Sequence, residues 1–135
     1  DLPRYYNTAD IFCSPATGWE SFGMVLMEAM ATGKPIVASD IPGYAGLISH
    51  GVEGLLVKPR DEKALASALM SLLRDKSMRE KMGEKGKLKA KDYSWEMVAQ
   101  KVMEYYQKLL QSRTGVVNKE IACACQGSSH PGAAY

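Results

Sequence analysis

Short unbroken apolar runs alternate along this chain with stretches whose apolar residues recur every three or four positions. The runs are Ala9–Ser14, Ile36–Ala38 and Leu55–Val57, the last bounded by Gly54 and Pro59. Each has the length and continuity of a buried strand of a parallel sheet. The periodic stretches predict helices. Asp1–Tyr6 reads as a short one, inside a polar and aromatic segment reaching Thr8. From about Phe22 to Thr32, residues Phe22, Val25, Leu26, Ala29 and Met30 form one buried stripe, and Gly33 supplies a left-handed C-cap. Asp40–His50 contains Pro42, Gly43 and Gly46 and predicts loop with one short helix. Asp61 is an N-cap for a helix whose buried stripe is Leu65, Ala68, Leu69, Leu72 and Leu73. Ser77 and Glu80 have capping-box spacing and open a lysine-rich helix, Met78 to about Ala90, with Gly83, Gly86 and a thin apolar stripe. Ser94 caps a last helix, in which Trp95, Val98, Ala99, Val102, Tyr106, Leu109 and Leu110 recur at helical spacing. No sustained period remains from Thr114 on, which predicts a mobile tail. Strand and helix in alternation predict an α/β fold, a parallel sheet flanked by helices.

The stretch Glu20–Gly33, ESFGMVLMEAMATG, organises this pattern. It follows the first strand through the loop Pro15–Trp19, where open α/β sheets place their ligands. A helix N-terminus offers unpaired N–H groups and the positive end of a dipole, which suit a phosphate. Glu20 precedes that terminus and Glu28 lies in the helix, off the apolar stripe. Were all eight steps between them helical, they would span about 12 Å. A ligand with hydroxyls at both ends and phosphate in the middle fits such a layout, and a nucleotide sugar has it.

Glu20 and Glu28, with seven residues between them in ESFGMVLME, resemble the E-x7-E motif of the family 4 retaining GT-B glycosyltransferases. The flanking blocks agree in order and spacing. Ala9–Pro15 resembles the strand before the motif, Gly33–Asp40 the strand after it, and Pro42-Gly43, Gly51 and Gly54–Val57 the next loop and strand. The resemblance runs from about Leu2 to Leu110. It implies the C-terminal half of a Rossmann-like GT-B donor domain with closing C-terminal helices, over residues 1–112, followed by a disordered tail over 113–135. It implies one tyrosine of the first helix packed inward, and a closing helix that packs on an N-terminal domain. It also places an acceptor-binding domain, the first part of the donor domain and a phosphate-binding basic pair upstream. The chain is therefore expected to be the donor-binding portion of a larger enzyme, inactive alone.

The activity implied is retaining transfer of a hexose from a UDP-, GDP- or ADP-sugar to a hydroxyl acceptor, with no cofactor and no bound metal. Glu20 would be the catalytic residue, hydrogen-bonding the donor sugar and favouring positive charge in an oxocarbenium-like transition state. Glu28 would accept from both ribose hydroxyls. Ser21, Phe22 and Gly23 would offer backbone N–H groups to diphosphate or sugar. Met24, Val25 and Leu26 read as core, with a lesser reading as apolar surface near the base. A glycosidase reading needs the two carboxylates facing each other across a cleft, about 5–9.5 Å apart, and two residues on one wall fit that poorly. A non-catalytic nucleotide-sugar-binding module, a partner subunit of a two-chain transferase, and an inert fragment are the readings from other classes.

The remaining residues change this picture little. The 135 residues suit one domain; a net charge of +2 argues neither for nor against nucleic acid, and with no nucleic-acid motif no such partner is expected. No apolar run approaches the ~20 residues of a membrane span. No signal-peptide pattern opens the chain, and three scattered cysteines make no disulfide framework, so a cytoplasmic setting is expected. Cys13 reads as a small buried residue. Cys123 and Cys125 form C-x-C and, with His130, fall short of a four-ligand zinc site. His50 reads as structural. The basic run Lys76, Arg79, Lys81, Lys85, Lys87, Lys89 and Lys91, broken by Glu80 and Glu84, reads as a solvated helix face, with peripheral contact to an anionic membrane as its functional alternative.

Overall fold

The computed structural model describes the backbone of residues 1–126 and the side chains of residues 1–112. The elements in order are α1 (Leu2–Thr8), β1 (Phe12–Ser14), α2 (Met24–Ala31), β2 (Ile36–Ser39), α3 (Pro42–Ala45), β3 (Gly54–Val57), α4 (Glu62–Arg74), α5 (Lys76–Lys91) and α6 (Trp95–Gln126). The expected α/β architecture is present: a parallel sheet in the order β1-β2-β3, flanked by helices. The chain divides into two compact units, Asp1–Ser94 and Trp95–Tyr135.

The central strand β2 is buried at all four residues. Because a strand's side chains alternate between faces, Ile36 and Ala38 join Leu26, Ala29, Met30, Tyr44, Leu47 and Ile48 in one core. Val37 joins Ala68, Leu72 and Met82 on the other side. Removing a side chain such as Leu72 from water contributes about 1.5–3 kcal/mol.

The α2 stripe is narrower than its spacing predicts. Leu26, Ala29 and Met30 are sealed, while Phe22 and Val25 are 43% and 40% exposed. Phe22 lies before the first helical residue, so helical spacing does not carry it onto the buried face. In α4, Leu73 is likewise exposed, at the helix's outer edge. Gly33 does adopt the left-handed conformation expected after α2, at φ 73°, and Asp61 caps α4 through Ala64 N–H at 2.8 Å.

The cap of α5 is Asp75, whose Oδ1 accepts from Met78 N–H at 2.9 Å. Ser77 falls inside the helix, and Glu80 pairs instead with Lys76 at 3.7 Å. The thin stripe of α5 has a steric explanation: a Cβ on Gly83 would overlap the carbonyl oxygen of Gly33, so glycine lets α5 meet the end of α2 backbone to backbone.

The basic run is not simply a solvated face. Arg79 donates to the carbonyls of Leu72 and Leu73, closing the end of α4. Lys89 reaches Glu53 at 3.1 Å, and Lys81 and Lys85 line a cavity with Gly51, Val52, Met78 and Met82. Cys13, expected to be buried, is exposed. It lies on the outer strand, on the face opposite Phe12, where α4 covers β2 and β3. What burial its thiol has still pushes its pKa up.

In the second unit, α6 continues past Thr114 to Gln126. A helical backbone needs no apolar period, and no proline occurs before Pro131 to stop it. The side chains of Cys123 and Cys125, and the whole of His130, lie outside the described residues.

Candidate functional site

The loops that leave the C-terminal ends of the strands make one rim of the sheet, and the segment Glu20–Gly23 lies on it between β1 and α2. Gly23 is the N-cap of α2 and is left-handed, with φ 80° and ψ 48°. Its Cα faces the ring of Tyr44, and a Cβ there would stand 3.0 Å from that ring. Both constraints select glycine. The N–H of Gly23 donates to Glu20 Oε1 at 3.2 Å. The Glu20 carboxylate is thereby held at the positive end of α2, where the helix dipole favours it. The following N–H groups, of Met24 and Val25, have no acceptor within the helix.

Glu20 is also fixed from below. A Cβ on Gly43, in the first turn of α3, would overlap the Glu20 carbonyl oxygen. The adjacent Tyr44 is 2% exposed, and its hydroxyl shares a 2.7 Å hydrogen bond with Ser14 Oγ at the end of β1. Strand end, short helix and loop are therefore locked together around the Glu20 backbone.

Glu28 sits in the second turn of α2, half-buried. Tyr6 of α1 donates its hydroxyl to Glu28 Oε2 at 2.7 Å. Burial, the hydrogen bond to Glu28 and the charge on that carboxylate together push the Tyr6 pKa up to about 12. This is the inward tyrosine expected of the first helix; it packs on Phe12, ring centroids 5.5 Å apart, while Tyr5 is exposed. Glu28 Oε1 has no hydrogen-bond partner among the described residues.

Of the remaining candidates, Ser21 and Phe22 are exposed on the rim. Phe22 packs against Tyr93 with the rings tilted, centroids 5.9 Å apart. Leu26 is core as expected, whereas Met24 and Val25 are exposed and leave an apolar surface beside Glu28. Only the steps from Met24 onward are helical, so the 12 Å helical span between Glu20 and Glu28 does not apply. Lys34 donates to the carbonyl of Asn7, away from the α2 N-terminus, and does not stand in for a phosphate-binding pair. His50 is structural: its Nδ1 accepts from Leu56 N–H at 3.0 Å. Among the described residues, no three His, Cys, Asp or Glu side chains converge.

Sequence reasoning passed over Tyr6, Ser14, Gly43 and Tyr44 as site residues. Gly43 carried the one usable signal, a glycine in a loop at a position of close backbone approach.

Comparison with known proteins identifies the family. Residues 1–89 match the family described as Glycosyl transferases group 1. The phosphatidyl-myo-inositol mannosyltransferase of Mycobacterium leprae is 41% identical over 110 residues, covering 82% of this chain and 29% of that protein. Among solved structures, the sucrose-phosphate synthase of Thermosynechococcus elongatus superposes with a TM-score of 0.73 at 33% identity, covering 80% of this chain and 27% of that one. Anabaena HepE in complex with UDP-glucose superposes at 0.71 with 28% identity, covering 79% of this chain and 30% of that one. The chain thus spans less than a third of the length of each of these proteins. On the match over residues 1–89 and the identity to a curated relative, the chain belongs to the group 1 glycosyltransferases.

Proposed function

We propose that this chain is the donor-binding portion of a nucleotide-sugar-dependent retaining hexosyltransferase that works without a bound metal. The observation that carries the reading is the pair of carboxylates at and within α2: Glu20, in the loop before it, held on the Gly23 N–H at the helix N-terminus, and Glu28, in its second turn, with one oxygen on Tyr6 and the other open. Glu28 Oε1 accepts from the ribose hydroxyls, while Tyr6 keeps the carboxylate from rotating away. The diphosphate lies over the first turn of α2, where the N–H groups of Met24 and Val25 are free to donate. Ser21 and Phe22 add the backbone N–H groups of the rim.

Glu20 then meets the sugar. Its carboxylate accepts from sugar hydroxyls and stabilises the positive charge that develops at the anomeric carbon as the bond to phosphate lengthens. The hydrogen bond from Gly23 preorients it, so little reorganisation accompanies the step. Retention of anomeric configuration and the use of a hydroxyl acceptor are carried by the family resemblance. The acceptor site and the basic groups that steady the leaving nucleoside diphosphate are assigned to parts of the relatives that this chain does not span.

Ligand-observed NMR with UDP-, GDP- and ADP-sugars tests this. UDP-sugars come first, because a structural neighbour at 28% identity is complexed with UDP-glucose. One base class should bind, and Glu28→Gln, which can still accept from Tyr6, should weaken it about 5-fold or more, as expected for loss of a charge-assisted hydrogen bond. Binding unaffected by changes at both Glu28 and Glu20 would overturn the assignment.

A further inference from the structure

A second site lies on the same rim but on the other face of the sheet. Val57, Lys58, Arg60, Asp61, Glu62 and Leu65 wall a cavity of about 230 Å³, closed by Pro15, Thr17 and Ser39. Ser39 is the last residue of β2, two positions after Val37, so it shares the α4 face while α2 covers the opposite one. It is 2% exposed. Its carbonyl accepts from Ile41 N–H, but its hydroxyl has no hydrogen-bond partner among the described residues. No described side-chain polar atom is both sealed from solvent and unpartnered, so the Ser39 hydroxyl opens onto this cavity.

The charges around it indicate the ligand. Lys58 and Arg60 bring two cations, neither in an ion pair among the described residues, and Asp61 and Glu62 bring two carboxylates. Asp61 spends one oxygen on capping α4 and keeps the other. An anion here would meet two carboxylates, and a cation would meet two cations. A neutral molecule with many hydroxyls can use all of them, donating to the carboxylates and accepting from Lys58 and Arg60, with Ser39 and Thr17 serving either way. The cavity holds the volume of about seven or eight waters at ~30 Å³ each, the space of one ring. We propose that this cavity is a binding site for a single neutral polyhydroxylated ring, a monosaccharide or a cyclitol, separate from the donor site on α2.

The test is an amide chemical-shift titration of the 135-residue chain with glucose, mannose and myo-inositol, and with inorganic phosphate in a parallel arm. The sugars and the cyclitol should shift the amides of Thr17, Ser39, Lys58 and Arg60, and the stronger of them names the source; phosphate should not shift them. Ser39→Ala should weaken the effect about 3- to 10-fold, the loss of one hydrogen bond, with thermal stability unchanged because that hydroxyl has no partner to lose. Thr17→Val, at an exposed position, repeats the test should Ser39→Ala fail to fold. The proposal is overturned by no shift at these amides, by shifts with phosphate alone, by polyol shifts confined to Glu20–Glu28, or by full affinity in the two variants. A further arm with a nucleotide sugar, read at the amides of Glu20 and Glu28, lets the two readings fail separately.

Discussion

Glu20 is placed by a residue with no side chain. Gly43 sits so close to the Glu20 carbonyl that any Cβ would overlap it. Gly43→Ala should therefore cost about 1–3 kcal/mol through overpacking, and should weaken nucleotide-sugar binding beyond what the loss of folded protein explains. Gly46, in the same loop, is the matched control. It has φ −70°, and a Cβ there would sit 3.6 Å from the Pro42 carbonyl, an ordinary contact. Gly46→Ala should be neutral or add about 0.4–1 kcal/mol. Thermal melts of the two variants beside a binding isotherm check the pair, and equal effects would remove Gly43 from the site. Tyr6 gives the second residue-scale expectation. Its pKa is raised from 10.0 to about 12, so the folded state favours the protonated phenol. The stability it supplies is whole below pH 10 and is lost as pH rises toward 12. Tyr6→Phe should cost about 1–2 kcal/mol at neutral pH, for a hydrogen bond to a charged group, and should flatten the fall in stability between pH 10 and 12. Denaturant melts across that range read the difference; parallel curves would mean that Tyr6 does not couple to Glu28.

At the scale of elements, α5 is tied down by polar contacts. Lys89, near its C-terminal end, meets Glu53 at 3.1 Å, with only 8% of the Glu53 side chain exposed. Glu53 also accepts from Ser49 N–H at 2.7 Å. Lys89→Met would leave a buried carboxylate without its cation and should cost about 1–3 kcal/mol, less than for a fully buried pair because Lys89 is itself partly exposed. Adding Glu53→Gln removes the stranded charge while keeping an acceptor for Ser49, so the double variant should recover part of that loss in urea melts. A double variant less stable than the single one would show that the pair is not coupled. This contact also marks where the sequence stops being readable. The runs of β2 and β3, the core of the α2 stripe and the Asp61 cap were legible because each is local: an unbroken apolar run, a helical period, a side chain three residues from its acceptor. The capping-box spacing of Ser77 and Glu80 pointed two residues past the cap that forms, Asp75, because spacing does not show where the preceding helix ends. Lys89–Glu53, Tyr6–Glu28, Tyr44–Ser14 and the approach of Gly83 to Gly33 join residues far apart in the chain, and no local period encodes them. The same limit divides the site. Glu20, Gly23 and Glu28 lie within one motif and could be named from it, whereas of the residues that hold them in place only Gly43 carried a local signal.

At the scale of the whole molecule, the share of relatives spanned and the surface of α6 bear on each other. The chain covers 29% of the length of its mycobacterial relative. Along α6, Trp95, Val98, Val102, Tyr106, Leu109 and Leu110 recur at helical spacing, and every one is exposed, Trp95 at 79% and Leu110 at 64%. An apolar stripe of this length on a water-facing helix is the kind of surface that other protein normally covers. Prepared alone, the chain should cover the stripe with itself. Sedimentation velocity should show mass rising with concentration, and Val102→Glu with Leu110→Glu should return it to a monomer, since charges on that stripe repel and hydrate. The same double variant should leave nucleotide-sugar binding unchanged, because Glu20 and Glu28 lie in the separate unit Asp1–Ser94. A chain that stays monomeric at every concentration would mean that the stripe needs no cover, and the expectation that α6 packs on other protein would fall with it.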